Sequence, residues 1–127
     1  MATMLLMATL GVVDFGRMFN VSTAAANAAS AGTMWGALSP ANYSALAEME
    51  RAAEADTTGY PGANAVATQT CRCELGGPAV PCSDECVSGS RQTYIEVEVT
   101  IPFNTVSGIP WIPSVSDVKG KSIVRVE

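Results

Sequence analysis

Four cysteines between positions 71 and 86 carry the clearest chemistry in this chain. Cys71, Cys73, Cys82 and Cys86 lie in a polar, Gly/Pro-rich stretch. An even number of cysteines in such a loop is typical of two disulfides formed in an oxidising compartment. A Cys₄ zinc site is the alternative, but the C-x-C and C-x₃-C spacings differ from the usual C-x₂-C knuckles. We therefore predict disulfides.

The spacing restricts which cysteines can pair. A Cys71–Cys73 bridge is disfavoured, because alternate residues of a strand point the same way but lie too far apart for a relaxed bond. A nested pairing, Cys71–Cys86 around Cys73–Cys82, would staple a hairpin-like loop. The crossed pairing remains open.

The other residue types argue against catalysis and against nucleic acid. The chain has no histidine, which removes the commonest general base and metal ligand and excludes a Ser-His or Cys-His nucleophile within it. Glu96 and Glu98 share a strand face, but alternating acids are usually the solvated side of a strand. The net charge of −5, with no basic cluster, does not suit a nucleic-acid partner. We predict a protein that is not an enzyme and that holds no cofactor or metal.

Asp14 and Arg17 form a second charged constellation, inside an apolar segment. Residues three apart lie on one face of a helix, so the two side chains can pair. Such a pair would let the segment enter a membrane and leave it again without a large loss of free energy. Asp14 and Arg17 are therefore either an internal ion pair only or a charge pair used in assembly, and the sequence leaves both open.

The element that positions this pair is a long helix predicted from Met1 to Gly36, which contains no proline. Small or short residues recur at every fourth position, and residues spaced by four form a ridge along a helix. A ridge without bulk lets another backbone approach closely. We predict that the row packs against copies of the chain, and that Gly32→Leu blocks this contact but leaves the sheet folded. The row is Gly16, Asn20, Ala24, Ala28, Gly32 and Gly36.

The apolar opening, Met1 to Val13, covers about 20 Å as a helix, less than the ~30 Å core of a bilayer. Extension through the following alanines reaches that length. A signal peptide with a site near Ala24 to Ala26 is the alternative, but no Lys or Arg precedes the apolar run. A helix that is stored in a membrane fits the pattern better.

A short second helix is predicted after Leu38. Ser39 is a good N-cap and Pro40 a good first helical residue, and residues 41–55 carry an apolar stripe opposite charged positions. A turn is predicted over residues 57–62.

The rest of the chain has the period of strands. Residues 65–73 are a weak candidate and residues 94–101 a strong one, followed by a long connection over 104–117 and a final strand over 119–127. The strong strand turns one face inward, and we expect Arg125 of the final strand to lie across from Glu96 or Glu98. Its inward residues are Ile95, Val97, Val99 and Ile101, joined by Val124 and Val126 of the final strand.

These elements predict an α+β fold with a long N-terminal hydrophobic helix, a short second helix and a small antiparallel sheet that carries a disulfide-stapled loop. A small sheet needs a partner for its apolar face. Only the second helix and the C-terminal part of the first helix are available within the chain. We therefore divide the chain into residues 1–38, a helix for a filament core or membrane, and residues 39–127, an exposed head domain.

The segment Gly11-Val12-Val13-Asp14-Phe15-Gly16-Arg17-Met18-Phe19 resembles that of TadE-like proteins, which are pseudopilins of the tight-adherence branch of type IV pili. Asn27 to Gly32 is similar to the family's asparagine-alanine-alanine and alanine-glycine stretch. Tyr94 to Phe103 and Ile123 to Glu127 are similar to its closing strands. The resemblance implies a pilin-like fold. It covers both ends of the chain and leaves the cysteine loop unmatched.

The chain departs from the family in its first residues. Such proteins usually carry a glutamate and a proline early in the hydrophobic segment, and neither precedes Asp14 here. The glutamate neutralises the free amine of a neighbouring subunit during assembly, and Asp14 would have to substitute for it. Two interpretations of Met1 stay open: it is the first residue after cleavage by a prepilin peptidase, or it is an upstream-truncated start.

The resemblance implies a structural subunit of an extracellular, type IV pilus-like filament that polymerises through its N-terminal helix. Its partners would be copies of itself, the inner membrane before assembly, and the pilus assembly machinery with its prepilin peptidase. Its location would be the cell surface. One alternative is a membrane-anchored minor pseudopilin that primes or caps assembly. A surface adhesin that binds through Tyr60, Tyr94 and Trp111 is the other.

Overall fold

The structure is a computed structural model that describes residues 2–87, 89–106 and 115–126. It confirms the predicted α+β fold. Two helices precede three antiparallel strands: α1 is Ala2–Ala37, α2 is Leu46–Ala55, β1 is Asn64–Arg72, β2 is Gln92–Asn104 and β3 is Val115–Arg125.

The strands lie in the order β1-β2-β3, so that β2 forms the centre of the sheet. In its register Val97 faces Ala67 on one side and Ser122 on the other. The alternation predicted for β2 is confirmed, because its odd-numbered residues from Ile95 to Phe103 are buried. Val124 and Val126 pack against this core, as expected.

The outer face of the sheet carries two cross-strand ion pairs. Lys119 Nζ lies 2.9 Å from Glu98 Oε1, and Lys121 Nζ lies 2.7 Å from Glu96 Oε1. The hydrogen bond to Glu98, together with that carboxylate's negative charge, raises the pKa of Lys119. The expectation that Arg125 lies across from Glu96 or Glu98 is wrong. The register places Arg125 opposite Tyr94, and Lys121 and Lys119 are the partners of Glu96 and Glu98.

The helix layer is the C-terminal half of α1 together with α2. Ala25, Ala28 and Ala29 of α1 and Met49 and Ala53 of α2 are completely buried and join the β2 side chains in one core. Small residues on α1 let it lie close to the sheet. The closest approach is at Gly120 of β3, where an added Cβ would overlap the backbone of Ala25 and Ala26. The Thr33 and Ser122 hydroxyls are hydrogen-bonded 2.8 Å apart across the same interface.

The second helix begins later than predicted. Residues 40–44 form turns, α2 starts at Leu46, and its N-cap position, Ala45, provides no side-chain cap. The reason lies in Asn42, whose side-chain Nδ2 donates to the Trp35 carbonyl at the end of α1, 2.9 Å away. This bond satisfies an unpaired helix-end carbonyl and holds the chain in a turn.

The last two strands also differ from the prediction in length. The sheet extends β2 to residues 92–104 and starts β3 at Val115, before the expected residue 119. Met1, Trp111 and Glu127 lie outside the described residues, and so does most of the predicted 104–117 connection.

Candidate functional site

The N-terminal part of α1 is apolar and exposed on every side. Each of residues 2–13 is exposed, with Met4 78% and Val12 71% exposed. Beyond it, one side of α1 continues this surface through Phe15, Met18 and Phe19. We call these residues, 2–13 with Phe15, Met18 and Phe19, the apolar segment. Its large exposed side chains are Met4, Leu5, Leu6, Met7, Leu10, Val12, Val13, Phe15, Met18 and Phe19.

The apolar segment and the buried half of α1 belong to one unbroken helix. No proline or break interrupts the helix between residues 2 and 37, and its length and composition are sufficient to cross a membrane. A soluble protein rarely exposes so large a contiguous apolar surface unless another molecule covers it. The exposed segment is therefore the candidate functional site.

The row of small residues is divided between two environments. Ala28, Gly32 and Gly36 are buried against α2 and the sheet, whereas Gly16 and Asn20 are exposed. A Cβ on Gly32 would lie 2.9 Å from the Met49 carbonyl oxygen and 3.2 Å from Val97 Cγ1. The C-terminal half of the row is thus an intramolecular contact. The expectation that Gly32→Leu would leave the sheet folded is wrong, because a leucine has no room there.

Contact between copies stays a prediction for the N-terminal half of the row. Gly11 and Gly16 have nothing within 4 Å of an added Cβ, so their backbone is open to another helix. Asn20 is exposed, and Ala24, one turn further, is half-buried at the edge of the core.

Asp14 and Arg17 lie where the apolar segment meets the folded head. Asp14 is 9% exposed, and its Oδ1 accepts a hydrogen bond from the Val106 N–H at 3.0 Å. Arg17 Nη1 is 3.6 Å from the same oxygen, so the predicted pair is present. The Arg17 guanidinium also stacks over the Phe103 ring, 5.5 Å from its centroid. A role for the pair in assembly remains a prediction.

Asp14 fixes how far the head reaches along α1. Through the bond to Val106 it ties the end of the described part after β2 to the helix, and the residues of α1 before Asp14 are exposed. The sequence did not predict the partners of this pair. The predicted strand ends at residue 101, and no spacing in the sequence indicates that Phe103 and Val106 return to α1.

A cleft of about 350 Å³ opens beside Arg17. Its polar lining comes from Arg17, Asn20, Tyr60 and Asn104, and Val21 and Phe103 contribute to its apolar wall. Sequence reasoning missed this cleft, because it forms where α1, the turn before β1 and the end of β2 converge.

All four cysteines are in disulfides, and the pairing is the crossed one: Cys71–Cys82 and Cys73–Cys86. The four sulfur atoms are therefore bonded and do not form a zinc site. The chain reverses after β1 in a turn closed by the Gly77 N–H to the Glu74 carbonyl, where Gly76 takes a positive φ of 75°. The return places Val80 beside Cys71 and so brings Cys82 within reach.

The same loop helps to protect the outer edge of β1. The Val80 N–H donates to the Cys71 carbonyl at 2.8 Å, and Glu50 of α2 accepts the Ala67 N–H at 3.0 Å. Covering an edge in this way lowers its tendency to pair with another strand. The disulfide loop thus completes the head and is remote from the apolar segment in sequence.

Comparison with known proteins supports the reading of the first helix. Residues 1–33 match the family model described as TadE-like protein, which confirms the resemblance found in the sequence. The match covers about a quarter of the chain and ends within α1. No curated protein matches the chain, and no solved structure matches it.

Proposed function

We propose that this chain is a pseudopilin-like component of a tight-adherence pilus system and that it serves as a structural subunit of the filament. The observation that carries the proposal is the apolar segment, which has no partner surface among the residues that the structure describes. Residues 1–38 would supply the helix that packs in the filament core, and residues 39–127 would supply most of the head. The packing adds that the second half of α1 also belongs to the core of that head.

Burial of the apolar segment is sufficient to drive association. Removing a large apolar side chain from water contributes about 1.5–3 kcal/mol. Ten such side chains of the apolar segment are at least 38% exposed in the single chain. Even when part of this gain offsets the entropy lost on association, contacts repeated along a polymer need no covalent links.

The shape of the segment suits contact between like helices. Gly11 and Gly16 leave gaps in its surface into which a neighbouring helix can fit, as small residues do in membrane helix pairs. A contact between two different patches of like subunits builds a helical fibre when the rotation does not close into a ring. The head would then lie outside the bundle of helices.

The same segment would be held in the inner membrane before assembly. In lipid it needs no protein partner, and its helical backbone satisfies its own hydrogen bonds. The charges of Asp14 and Arg17 stay at the head end of the segment, where Val106 and Phe103 accompany them. A prepilin peptidase and the pilus assembly machinery would act on the chain at this stage.

A membrane-anchored minor pseudopilin that primes or caps the filament is the second candidate. The exposure of residues 2–13 on all sides favours this candidate too, because lipid can cover such a helix just as other subunits can. An adhesin that binds through exposed aromatic groups is a weaker fit. Tyr94 is half-buried, with the Arg72 guanidinium 6.0 Å from its ring centroid, and Tyr60 is packed against the core.

Electron microscopy of material sheared from expressing cells tests the proposal. We expect fibres that contain this chain as their main component. Gly16→Leu should prevent the fibres by filling the gap in the segment, while the head keeps its thermal stability because Gly16 touches nothing in it.

Gly59→Leu is the matched control. Gly59 also has nothing within 4 Å of an added Cβ, but it lies in the turn before β1 and not in α1. Recovery of the wild-type chain only as a membrane protein, with no fibres, would assign it to the minor, membrane-anchored class. Normal fibres from Gly16→Leu would show that this part of the row is not a subunit contact.

A further inference from the structure

We infer that the cleft beside Arg17 binds the phosphate group of a membrane phospholipid while the apolar segment lies in the bilayer. The inference rests on the proposed residence of the chain in the membrane. It adds a ligand class and a site to that proposal.

The cleft lies at the depth where phosphates would be. Asp14 is the first residue of α1 that bonds to the described part of the head, and Arg17 follows it by three positions, or about 4.5 Å along the helix. The headgroup layers of a bilayer add roughly 5–8 Å on each side of its hydrocarbon core. With residues 2–13 in hydrocarbon and Asp14 at its edge, Arg17 therefore lies among the headgroups.

The chemistry of the lining suits an anion with an apolar body. Of the described residues that line the cleft, Arg17 is the one that is charged, and its side chain is 48% exposed. A guanidinium binds phosphate oxygens through its N–H groups, and its contact with the Phe103 ring, 5.5 Å from the ring centroid, does not use all of these donors. Asn20, Tyr60 and Asn104 add neutral polar groups around the same space.

The carboxylate of Asp14, which lies beside Arg17, already has a hydrogen-bond partner within the protein. Asp14 Oδ1 is 3.6 Å from Arg17 Nη1, longer than a good hydrogen bond, and it accepts the Val106 N–H at 3.0 Å. The guanidinium is therefore held in place by Asp14 and Phe103 without being enclosed by them.

The apolar surroundings favour a lipid over free phosphate. The side chains of Val21, Pro61, Pro102 and Phe103 supply the apolar part of the cleft lining. Acyl chains and a glycerol backbone would cover these side chains, while inorganic phosphate would leave them in water.

A titration of the full-length chain in neutral detergent micelles tests the inference. Short-chain phosphatidylglycerol is added, and the side-chain amide resonances of Asn20 and Asn104 are followed by NMR. We expect saturable shifts, and an affinity about fivefold lower in Arg17→Gln, the change expected from one basic contact near a lipid surface. Core methyl resonances of Ile95 and Val97 report whether the variant is folded.

Arg51→Gln is the matched control for charge. Arg51 lies on α2, its side chain is 73% exposed, and its partner is Glu48. Because the chain carries a net charge of −5, general electrostatics oppose binding to an anionic lipid, and both variants increase that opposition equally. Arg51→Gln should therefore bind nearly as the wild type does.

Three results would overturn the inference. They are an unchanged affinity in folded Arg17→Gln, an equal loss in Arg51→Gln, and inorganic phosphate that produces the same shifts with the same affinity. Flotation of the chain with phosphatidylcholine vesicles is measured separately. Failure to float would contradict membrane residence itself, whereas normal flotation with an unchanged affinity in Arg17→Gln would contradict only the phosphate site.

Discussion

At the scale of single residues, close backbone approaches decide how the head is packed. Gly120 is the sharpest case, because the space for its Cβ is taken by the backbone of Ala25 and Ala26. A flexible side chain can move aside, but the backbone of a packed helix cannot. Glycine inside a strand often marks such an approach. This signal was present in the sequence as a lone glycine between Lys119 and Lys121.

Gly120→Ala should destabilise the head by about 1–3 kcal/mol, the usual cost of overpacking a core. Thermal unfolding in detergent, followed by near-ultraviolet circular dichroism, measures the loss. Gly16→Ala is the control, because an alanine there meets nothing and suits a helix better than glycine does. Equal melting temperatures for Gly120→Ala and the wild type would show that α1 does not lie this close to β3.

Residue types alone predicted the Asp14–Arg17 pair but not what surrounds it. Spacing by three on a helix fixes which face two side chains share. This spacing carries no information about Phe103 and Val106. Both residues lie about ninety positions further along the chain, and they contact Arg17 and Asp14 only in the folded structure. Contacts at such a distance depend on how the layers stack.

At the scale of elements, periodicity predicted the sheet and the helices well and their ends poorly. The alternation in β2 identified its buried residues, and the small residues of α1 indicated a close helix contact. The start of α2 was wrong because Asn42 bonds to the last turn of α1 in place of a cap by Ser39. Competition between side chains for the free backbone groups at helix ends shifts helix boundaries by a few residues.

The cysteine spacing alone does not determine the disulfide pairing, because the pairing depends on how the chain turns after β1. It is set by the pairing of Val80 with Cys71, which depends on a turn at Gly76 and not on cysteine spacing. Each disulfide closes a short loop, with sequence separations of 11 and 13, so the loss of loop-closure entropy in the unfolded chain is similar for both.

The two disulfides should nevertheless differ in their contribution to stability. Cys71 is buried, with its sulfur near the Thr93 hydroxyl, whereas Cys73 and Cys86 are half-buried. We expect Cys73→Ala/Cys86→Ala to cost about 2–4 kcal/mol. Cys71→Ala/Cys82→Ala should cost roughly 1 kcal/mol more, because it also leaves a cavity.

Urea unfolding of the two double variants, under non-reducing conditions, compares these costs. Each variant is its partner's control, since both remove one bridge and two sulfur atoms. A larger loss for Cys73→Ala/Cys86→Ala would mean that the loop outside β1, and not the buried end of the strand, determines the stability of this region.

At the scale of the whole molecule, the chain consists of a head that is complete and a helix that extends beyond it. The head has its own core, a protected β1 edge and two disulfides. The apolar segment has none of these. Among the described residues, Asp14 is the first of α1 that bonds to the head. The division at residue 38 stays a prediction, and the packing adds that the second half of α1 lies in the core of the head.

The central claim is that lipid or other copies of the chain cover the apolar segment in the cell. Methionine side chains report this directly, because hydroxyl radicals oxidise them according to their exposure. Met4 lies in the segment, 78% exposed in the single chain, Met34 is 66% exposed on the head part of α1, and Met49 is fully buried.

Hydroxyl-radical footprinting of membranes from expressing cells is the measurement that tests this claim most directly. We predict that Met4 is oxidised far more slowly than Met34, at a rate close to that of Met49. Oxidation of Met4 at the rate of Met34 or faster would contradict the claim, because the apolar segment would then be in water.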